Sequence, residues 1–136
     1  MTLSAIRTIL ESHLAATTPA LPAIAWPNVP FTPTVGTPYI AAEFIPVLRR
    51  PVVVGPTPEQ RTSGMLYLTV CTPEARGAAA GYLVVDQLLS RFRGHISLSS
   101  GGITVSIEYS EAKMALHNQP FYVIPVEIGW YSYTSG

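Results

Sequence analysis

The sequence predicts an α+β domain in which two helices pack against a mostly antiparallel β-sheet, with long proline-rich loops between these elements. Apolar residues recur at three- and four-residue spacing in segments 3–16 and 74–93, as expected for amphipathic helices. Segment 103–110 alternates between apolar and polar residues, as expected for a half-buried strand. The chain also contains 13 prolines, which interrupt regular structure elsewhere. A length of 136 residues corresponds to one domain, residues 1–136.

Each predicted helix presents one apolar stripe to the sheet. In the first helix the stripe consists of Leu3, Ile6, Ile9, Leu10 and Leu14. In the second it consists of Ala78, Gly81, Val85, Leu88, Leu89 and Phe92. The opposite face carries Asp86, Gln87, Ser90, Arg91 and Arg93, interrupted by Ala79, Ala80 and Leu83. Small residues on an outer face permit close approach of another surface, although alanine is also simply a good helix former.

Four longer strands are predicted, which gives the order α, β, β, α, β, β. They span 39–47, 65–72, 103–110 and 120–133. Pro125 or Gly129 should kink or bulge the last of them. The proline-rich segment 19–38 should hold one short extended piece around Ile24 to Trp26. Segment 48–64 is predicted to be irregular, with a short β-branched run from Val52 to Val54, and the Ser-Ser-Gly-Gly sequence at 99–102 is predicted to form a hairpin turn.

The composition favours a protein that hides part of its surface against partners. Apolar residues make up 48% of the chain and charged residues only 12%, about half the usual share of charges. A neutral monomer rich in alanine and threonine is the alternative. The formal net charge is zero, so general attraction to nucleic acid or to an anionic membrane is not expected. No signal peptide or membrane-spanning stretch is recognisable, which favours a soluble protein of an intracellular compartment.

No enzymatic site is predicted, and neither a metal nor a cofactor is implied. The histidines, His13, His95 and His117, have no metal-ligand spacing and are expected to be solvated or capping residues. Glu43 and Glu127 could meet across the sheet, but they could equally face solvent. Asp86 is the only aspartate, and no nucleophile elbow or phosphate-binding loop occurs. Cys71, the only cysteine, lies in the apolar run MLYLTVC and is expected to be a buried thiol.

Two segments are candidates for contacts with other molecules. The first is WPNVPFTPTVGTPYI, residues 26–40, which has few backbone donors for a sheet but several aromatic side chains. Trp26, Phe31 and Tyr39 are its candidate anchors into pockets of another molecule. The second is segment 48–64, where only Glu59 opposes three basic residues, Arg49, Arg50 and Arg61. These arginines could contact phosphate or the acidic surface of a partner, or they could lie in a solvated loop.

The order of motifs along the chain has a recognisable layout. An N-terminal helix leads into W-P-N-x-P-F-x-P and G-T-P-Y-I. These are followed by R-x-x-G-M-L-Y-L-T-V, by the helix G-A-A-A-G-Y-L-V-V-D-Q-L-L-S-R-F and by a strand with G-W-Y. Over nearly the whole chain this layout resembles the tail terminator, or tail completion, proteins of long-tailed bacteriophages. These motifs are patterns of apolar, aromatic and turn residues and carry no chemical signature.

The resemblance implies a structural, non-enzymatic virion protein at the head–tail junction, assembled in the host cytoplasm. Such proteins have an α+β fold and form a ring, usually a hexamer, on the last ring of the tail tube. The ring stops tube polymerisation and joins the tube to the head connector, and DNA later passes through its lumen. By position, residues 26–40 would contact ring neighbours or the tube. The loop 48–64 with Arg49, Arg50 and Arg61 would face the lumen or an axial partner.

The physics of a ring also calls for two different contact surfaces on each copy. The aromatic segment 26–40, with Trp26, Phe31 and Tyr39, is one candidate. The outer side of the second helix, with Ala79, Ala80 and Leu83, is the other. Two other functions remain open: a neighbouring head–tail connector or tail tube protein, and a small-molecule-binding or enzymatic α+β domain with residues 26–40 as a ligand lid.

Overall fold

The computed structural model describes residues 2–15, 22–33, 36–51, 59–73, 78–118 and 121–135. The two helices are α1 (Thr2–Leu14) and α2 (Ala79–Arg91). The strands are β1 (Ala23–Ala25), β2 (Tyr39–Pro51), β3 (Glu59–Pro73), β4 (Ser97–Ser100), β5 (Ile103–Ala112), β6 (Leu116–Asn118) and β7 (Phe121–Ser135). Two helices and a mostly antiparallel sheet confirm the predicted α+β class.

The strands form one sheet with the order β1-β2-β3-β7-β5-β4, and β6 pairs with β7. Within the described residues, only the short strand β1 runs parallel to its neighbour. The two longest strands, β3 and β7, lie side by side at the centre and pair along their whole length, from Glu59 opposite Ser135 to Pro73 opposite Phe121. The sheet is therefore built around a central pair of 15-residue strands. In the chain, α1 precedes β1 at one edge of the sheet, and α2 lies between β3 and β4.

The two faces of the sheet differ in what covers them. On β3, Leu66, Leu68 and Val70 are fully buried, and they form one core with Ile6, Leu10 and Leu14 of α1 and with Val85, Leu88 and Phe92 of α2. We call this side the helix-covered face. The residues that alternate with them on β3, among them Arg61, Met65 and Tyr67, lie on the other side, which we call the open face.

The prediction of an irregular segment at 48–64 is wrong for the described residues. β2 continues to Pro51 and β3 begins at Glu59, with Leu48 opposite Ser63 and Pro51 opposite Gln60. The register shifts between Pro46 and Leu48, so Val47 is an extra, bulged residue. β1 pairs with β2 only as far as Ala41. Beyond that point β2 is an edge strand, where a missing proline N–H can face solvent. Residues 52–58, which include the predicted run Val52 to Val54, lie outside the described residues.

Pro125 is accommodated in the central strand β7 by a break in the neighbouring ladder. β5 pairs with β7 up to Ala112 opposite Val126, and pairing resumes with β6 at Leu116 opposite Val123. Pro125 lies opposite this break and accepts a backbone hydrogen bond from Lys113 (2.8 Å). The N–H that proline lacks would point to the same side of the strand as its carbonyl. That side faces the break, so the missing N–H costs no hydrogen bond to β5 or β6. The predicted bulge in the last strand is not found, because β7 pairs with β3 without a register shift. The irregularity near Pro125 is a gap between the neighbouring strands β5 and β6.

The prediction of which α2 residues face the sheet is correct except at Arg91. Gly81, Val85 and Leu88 are buried as predicted, but Arg91 is buried too instead of lying on the polar face. Its guanidinium donates to the main-chain oxygen of Leu14 at the end of α1 (2.7 Å). The spacing of residues within α2 does not predict this contact, because the acceptor belongs to a helix 77 residues away in the sequence. The predicted turn at 99–102 is confirmed, with Gly101 and Gly102 at positive φ between β4 and β5.

Candidate assembly surfaces

The aromatic segment 26–40 is partly anchored on its own domain. Trp26 is half-buried and packs against the hydrophobic core. Phe31 is 36% exposed, and its ring lies against that of Tyr39, with centroids 5.1 Å apart. Tyr39 in turn packs edge-on against Phe121 at 5.2 Å. Phe31 is therefore the outermost of the three predicted anchors, whereas Trp26 and Tyr39 contribute mainly to the fold. Positions 34–35 lie outside the described residues.

The half-buried Tyr39, near the end of this segment, lies directly opposite the buried Cys71 of β3. Burial, together with a hydrogen bond to Cys71, raises the pKa of Tyr39 to about 12. Burial likewise raises the pKa of the Cys71 thiol. A thiol that holds its proton is a poor nucleophile, and this one is also buried. The prediction that Cys71 behaves as a small buried hydrophobe is confirmed, since its surroundings are Phe121, Val123 and Tyr39.

The outer face of α2 is an exposed apolar ridge with one carboxylate. Ala79 and Ala80 are exposed as predicted, and Leu83 is 65% exposed. Sequence reasoning missed Tyr82, which is 41% exposed beside it. The signal was available, because Tyr82 lies four residues before Asp86 and three after Ala79, and these spacings place the side chains on one face of a helix. Asp86 is also exposed.

The three arginines do not share one surface. Arg49 lies opposite Thr62, which is buried on the helix-covered face, whereas Arg50 lies opposite Arg61 on the open face. The Arg61 guanidinium pairs with Glu108 (Nη2 to Oε2, 3.5 Å). It also lies over the ring of Tyr131, 4.8 Å from the centroid. The structure therefore brings together Arg50 and Arg61 and separates Arg49 from them.

A shallow depression of about 360 Å³ lies on the open face beside Arg61. Gly129 of β7 contributes no side chain here, and its partner on β3 is Met65. The ring of Tyr109 lies against the Cα of Gly129, so closely that a Cβ there would collide with it. The surrounding side chains include Val47, Met65, Tyr109, Glu127 and Arg61. The depression thus combines apolar walls with one cationic side and two carboxylates, those of Glu108 and Glu127.

Tyr109 and Glu127 are joined by a short hydrogen bond on this face. The Tyr109 hydroxyl donates to Oε2 of Glu127 (2.5 Å), and Lys113 lies 4.0 Å from Oε1. The bond to Glu127, followed by burial and the charges of nearby carboxylates, raises the pKa of Tyr109 to about 12. Glu43 and Glu127 do not meet, because Tyr67 of β3 lies between them in the same cross-strand row. This arrangement fixes the side chain of Glu127, whose cross-strand partner on β5 is Glu111 and not Glu43.

A second depression lies between α1 and β4, lined mainly by Thr8, Ser12, His13 and Ser97–Ser100. Neither depression is lined by Trp26, Phe31 or any other residue of segment 26–40, the lid of the ligand-lid alternative. Over the part of the chain that the structure describes, no three His, Cys, Asp or Glu side chains lie close enough together to hold a metal ion. Neither described helix is long and apolar enough to cross a membrane.

A family model described as phage tail terminator protein matches residues 5–130. The chain belongs to this family. A tail terminator is a structural component of the bacteriophage tail, so a structural role in the virion tail is indicated and the resemblance inferred from the sequence is confirmed. One solved structure with 25% sequence identity superposes on this tail terminator with a TM-score of 0.75 and covers 98% of this chain and 96% of its own. No curated protein matches the chain.

Proposed function

We propose that this tail terminator assembles into a closed ring on the last ring of the tail tube. There it stops tube polymerisation and presents a surface to the head connector, and DNA passes through its lumen. We expect six copies in this ring, the number that the resemblance to the family implies. The observation that carries the proposal is the family match over residues 5–130, nearly the whole chain. The proposed location is the head–tail junction of the virion, reached after assembly in the host cytoplasm.

The distribution of exposed apolar groups supports association with other copies. Leu83 on α2 and Val47 on β2 are each more than 60% exposed (65% and 63%), and Phe31 adds a third exposed apolar side chain in the aromatic segment. These groups belong to different sides of the domain, because α2 packs on the helix-covered face and Val47 borders the open-face depression. A head-to-tail ring needs two distinct surfaces of this kind on each copy.

We assign the aromatic segment, through Phe31, and the outer face of α2, through Ala79, Ala80 and Leu83, to contacts with ring neighbours or with the tube. Arg49 is assigned to the lumen or to an axial partner. Its side chain projects to the helix-covered side of the sheet, away from Arg50 and Arg61.

The first test is the mass of the protein in solution. Size-exclusion chromatography with light scattering, across a wide concentration range, should give a species of about six times 14.7 kDa, and negative-stain images should show closed rings. A second test adds the protein to polymerising tail tube protein of the same phage. Substoichiometric amounts should stop growth and leave one ring at the tube end. A chain that stays monomeric alone and does not alter tube length contradicts the proposal.

A further inference from the structure

We propose that, in the ring, the outer face of α2 of one copy docks into the open-face depression of the next copy, with Asp86 pairing with Arg50 and Arg61. This inference rests on the proposed ring and names the two surfaces that would build it. It assigns Arg50 and Arg61 to the contact between subunits and not to the lumen. The occupant of the depression is therefore a second copy of this chain.

The arginine pair is the first argument. Arg50 and Arg61 are direct cross-strand partners on the open face, and like charges in this arrangement repel each other. Arg61 is partly compensated by Glu108 and by the ring of Tyr131. Among the described residues, Arg50 has no ion pair, although Glu59 lies on the same face of the neighbouring strand. An additional carboxylate placed between the two guanidinium groups would relieve the repulsion and could bond to both.

The depression is the second argument. Val47 is the bulged residue of β2 and is 63% exposed, and it forms one wall together with Met65 and Tyr109. Gly129 contributes no side chain between them. The site can therefore accept one or two apolar side chains within reach of Arg61, which lines the same depression. Apolar anchors beside a cation are typical of protein contact sites.

The ridge on α2 has the matching chemistry. Leu83 and Tyr82 are exposed, and Asp86 follows them by three and four residues, one turn further along the same face. Asp86 makes no ion pair with any other described residue. Ala79 and Ala80 precede this pair and allow close approach of a facing backbone. The ridge therefore offers two apolar groups and one carboxylate without an ion pair to a depression with apolar walls. Arg61 lines that depression, and Arg50 is its cross-strand partner.

The two surfaces lie on opposite sides of the sheet, since α2 packs on the helix-covered face and the depression is on the open face. A single copy cannot bring them together. Two copies that use them form a head-to-tail contact, which leaves one ridge and one depression free at the ends and continues until the ring closes. The apolar walls favour a second copy over DNA, because Val47, Met65 and Tyr109 offer contacts to apolar side chains such as Leu83 and none to phosphate.

Charge exchange tests this contact. Arg50→Glu and Asp86→Arg should each weaken ring association about tenfold or more, measured by light scattering over a dilution series. The double variant Arg50→Glu/Asp86→Arg restores an opposite-charge pair and should return association to within about threefold of the wild type. The matched control is Arg49→Glu/Asp86→Arg. Because Arg49 lies on the other face, this double variant should remain as weak as Asp86→Arg alone.

The outcomes separate this inference from the proposed ring. Wild-type rings with no rescue in the Arg50→Glu/Asp86→Arg double variant overturn the inference and leave the ring intact. The inference is also overturned if Arg50→Glu leaves ring association unchanged but blocks tube capping or DNA passage, because the arginine then serves an axial partner or DNA. A wild-type chain that forms no ring, alone or with tube protein, overturns both. Urea unfolding of each variant shows whether the fold is retained, and Leu83→Asp supplies a second, charge-independent disruption of the same ridge.

Discussion

His13 and Arg91 exchange hydrogen bonds across the ends of the two helices. His13 Nε2 donates to the main-chain oxygen of Arg91 (2.7 Å), and Arg91 Nη1 donates to the main-chain oxygen of Leu14 (2.7 Å). Because a carbonyl oxygen can only accept, Nε2 of His13 must carry a proton. Each helix thus supplies the side chain that satisfies a terminal carbonyl of the other. This reciprocal capping fixes the angle between α1 and α2 and makes His13 a capping residue, one of the two roles expected from the sequence.

Replacing Arg91 should destabilise the fold, since it leaves a buried carbonyl without its donor. We expect Arg91→Met, which keeps most of the side-chain volume, to lower the free energy of unfolding by about 1–3 kcal/mol. Urea denaturation measures this loss. Arg93→Met is the matched control, because Arg93 is exposed just beyond the helix end, and its effect should stay within about 0.5 kcal/mol. Equal effects of the two substitutions would mean that the cap contributes nothing to stability.

The fold class and the helix positions followed from local patterns, while the features missed from the sequence depend on contacts distant in the chain. Prolines at 46 and 51 argued against a long β2. They are tolerated because, among the described residues, no strand lies on the outer side of β2 beyond Ala41. Arg91 was placed on the wrong face for the same kind of reason, as its acceptor belongs to α1. Edge position and capping partner are properties of the assembled sheet and helices, and no periodicity reports them.

The candidate surfaces were predictable in part. Leu83, Arg49 and Arg50 are exposed, as the sequence suggested, whereas Arg61 is half-buried. The division of Arg49 from Arg50 and Arg61 was not predictable, because it depends on the register after the Val47 bulge. The depression was not predictable from the sequence either, since Met65 and Gly129 become neighbours only when β3 pairs with β7. A one-residue change of register would place every side chain on the other face.

A side chain at Gly129 should disrupt the open face. Gly129→Ala would place a Cβ against the ring of Tyr109, and displacing that ring also breaks its bond to Glu127. We expect a loss of about 1–3 kcal/mol in the free energy of unfolding. Adding Tyr109→Ala removes the collision, so the double variant should lose less than the sum of the single losses. Strictly additive losses would show that the ring does not meet the new methyl group.

Stability should fall at high pH as the two perturbed tyrosines lose their protons. The pKa values of Tyr39 and Tyr109 are raised to about 12 in the folded protein, whereas tyrosines in unfolded chains titrate near 10. The folded state therefore holds more protons between about pH 10 and 12, and its stability decreases as pH rises through that range. Absorbance of tyrosinate should show a late-titrating fraction in the folded state.

The charged acceptor of Tyr109 gives this pH prediction a specific control. Glu127→Gln removes the carboxylate that favours the protonated phenol, so the pKa of Tyr109 should fall and the late fraction should shrink. Glu43→Gln is the matched variant, since Glu43 is separated from Glu127 by Tyr67, and it should leave the late fraction unchanged. If the late-titrating tyrosine fraction is unchanged in Glu127→Gln, the bond to Glu127 does not set the pKa of Tyr109.

Trp26 and Phe31 should differ in what their removal affects. Trp26 packs against the hydrophobic core, so Trp26→Ala should cost about 2 kcal/mol of folding stability, contrary to the expectation of a purely intermolecular anchor. Phe31 is the more exposed and rests on Tyr39, so Phe31→Ala should cost less than about 1 kcal/mol but weaken ring or tube association. Urea denaturation and light scattering on the same samples separate the two effects. If Phe31→Ala lowers stability as much as Trp26→Ala and leaves assembly unchanged, the aromatic segment stabilises the monomer and is not a contact surface.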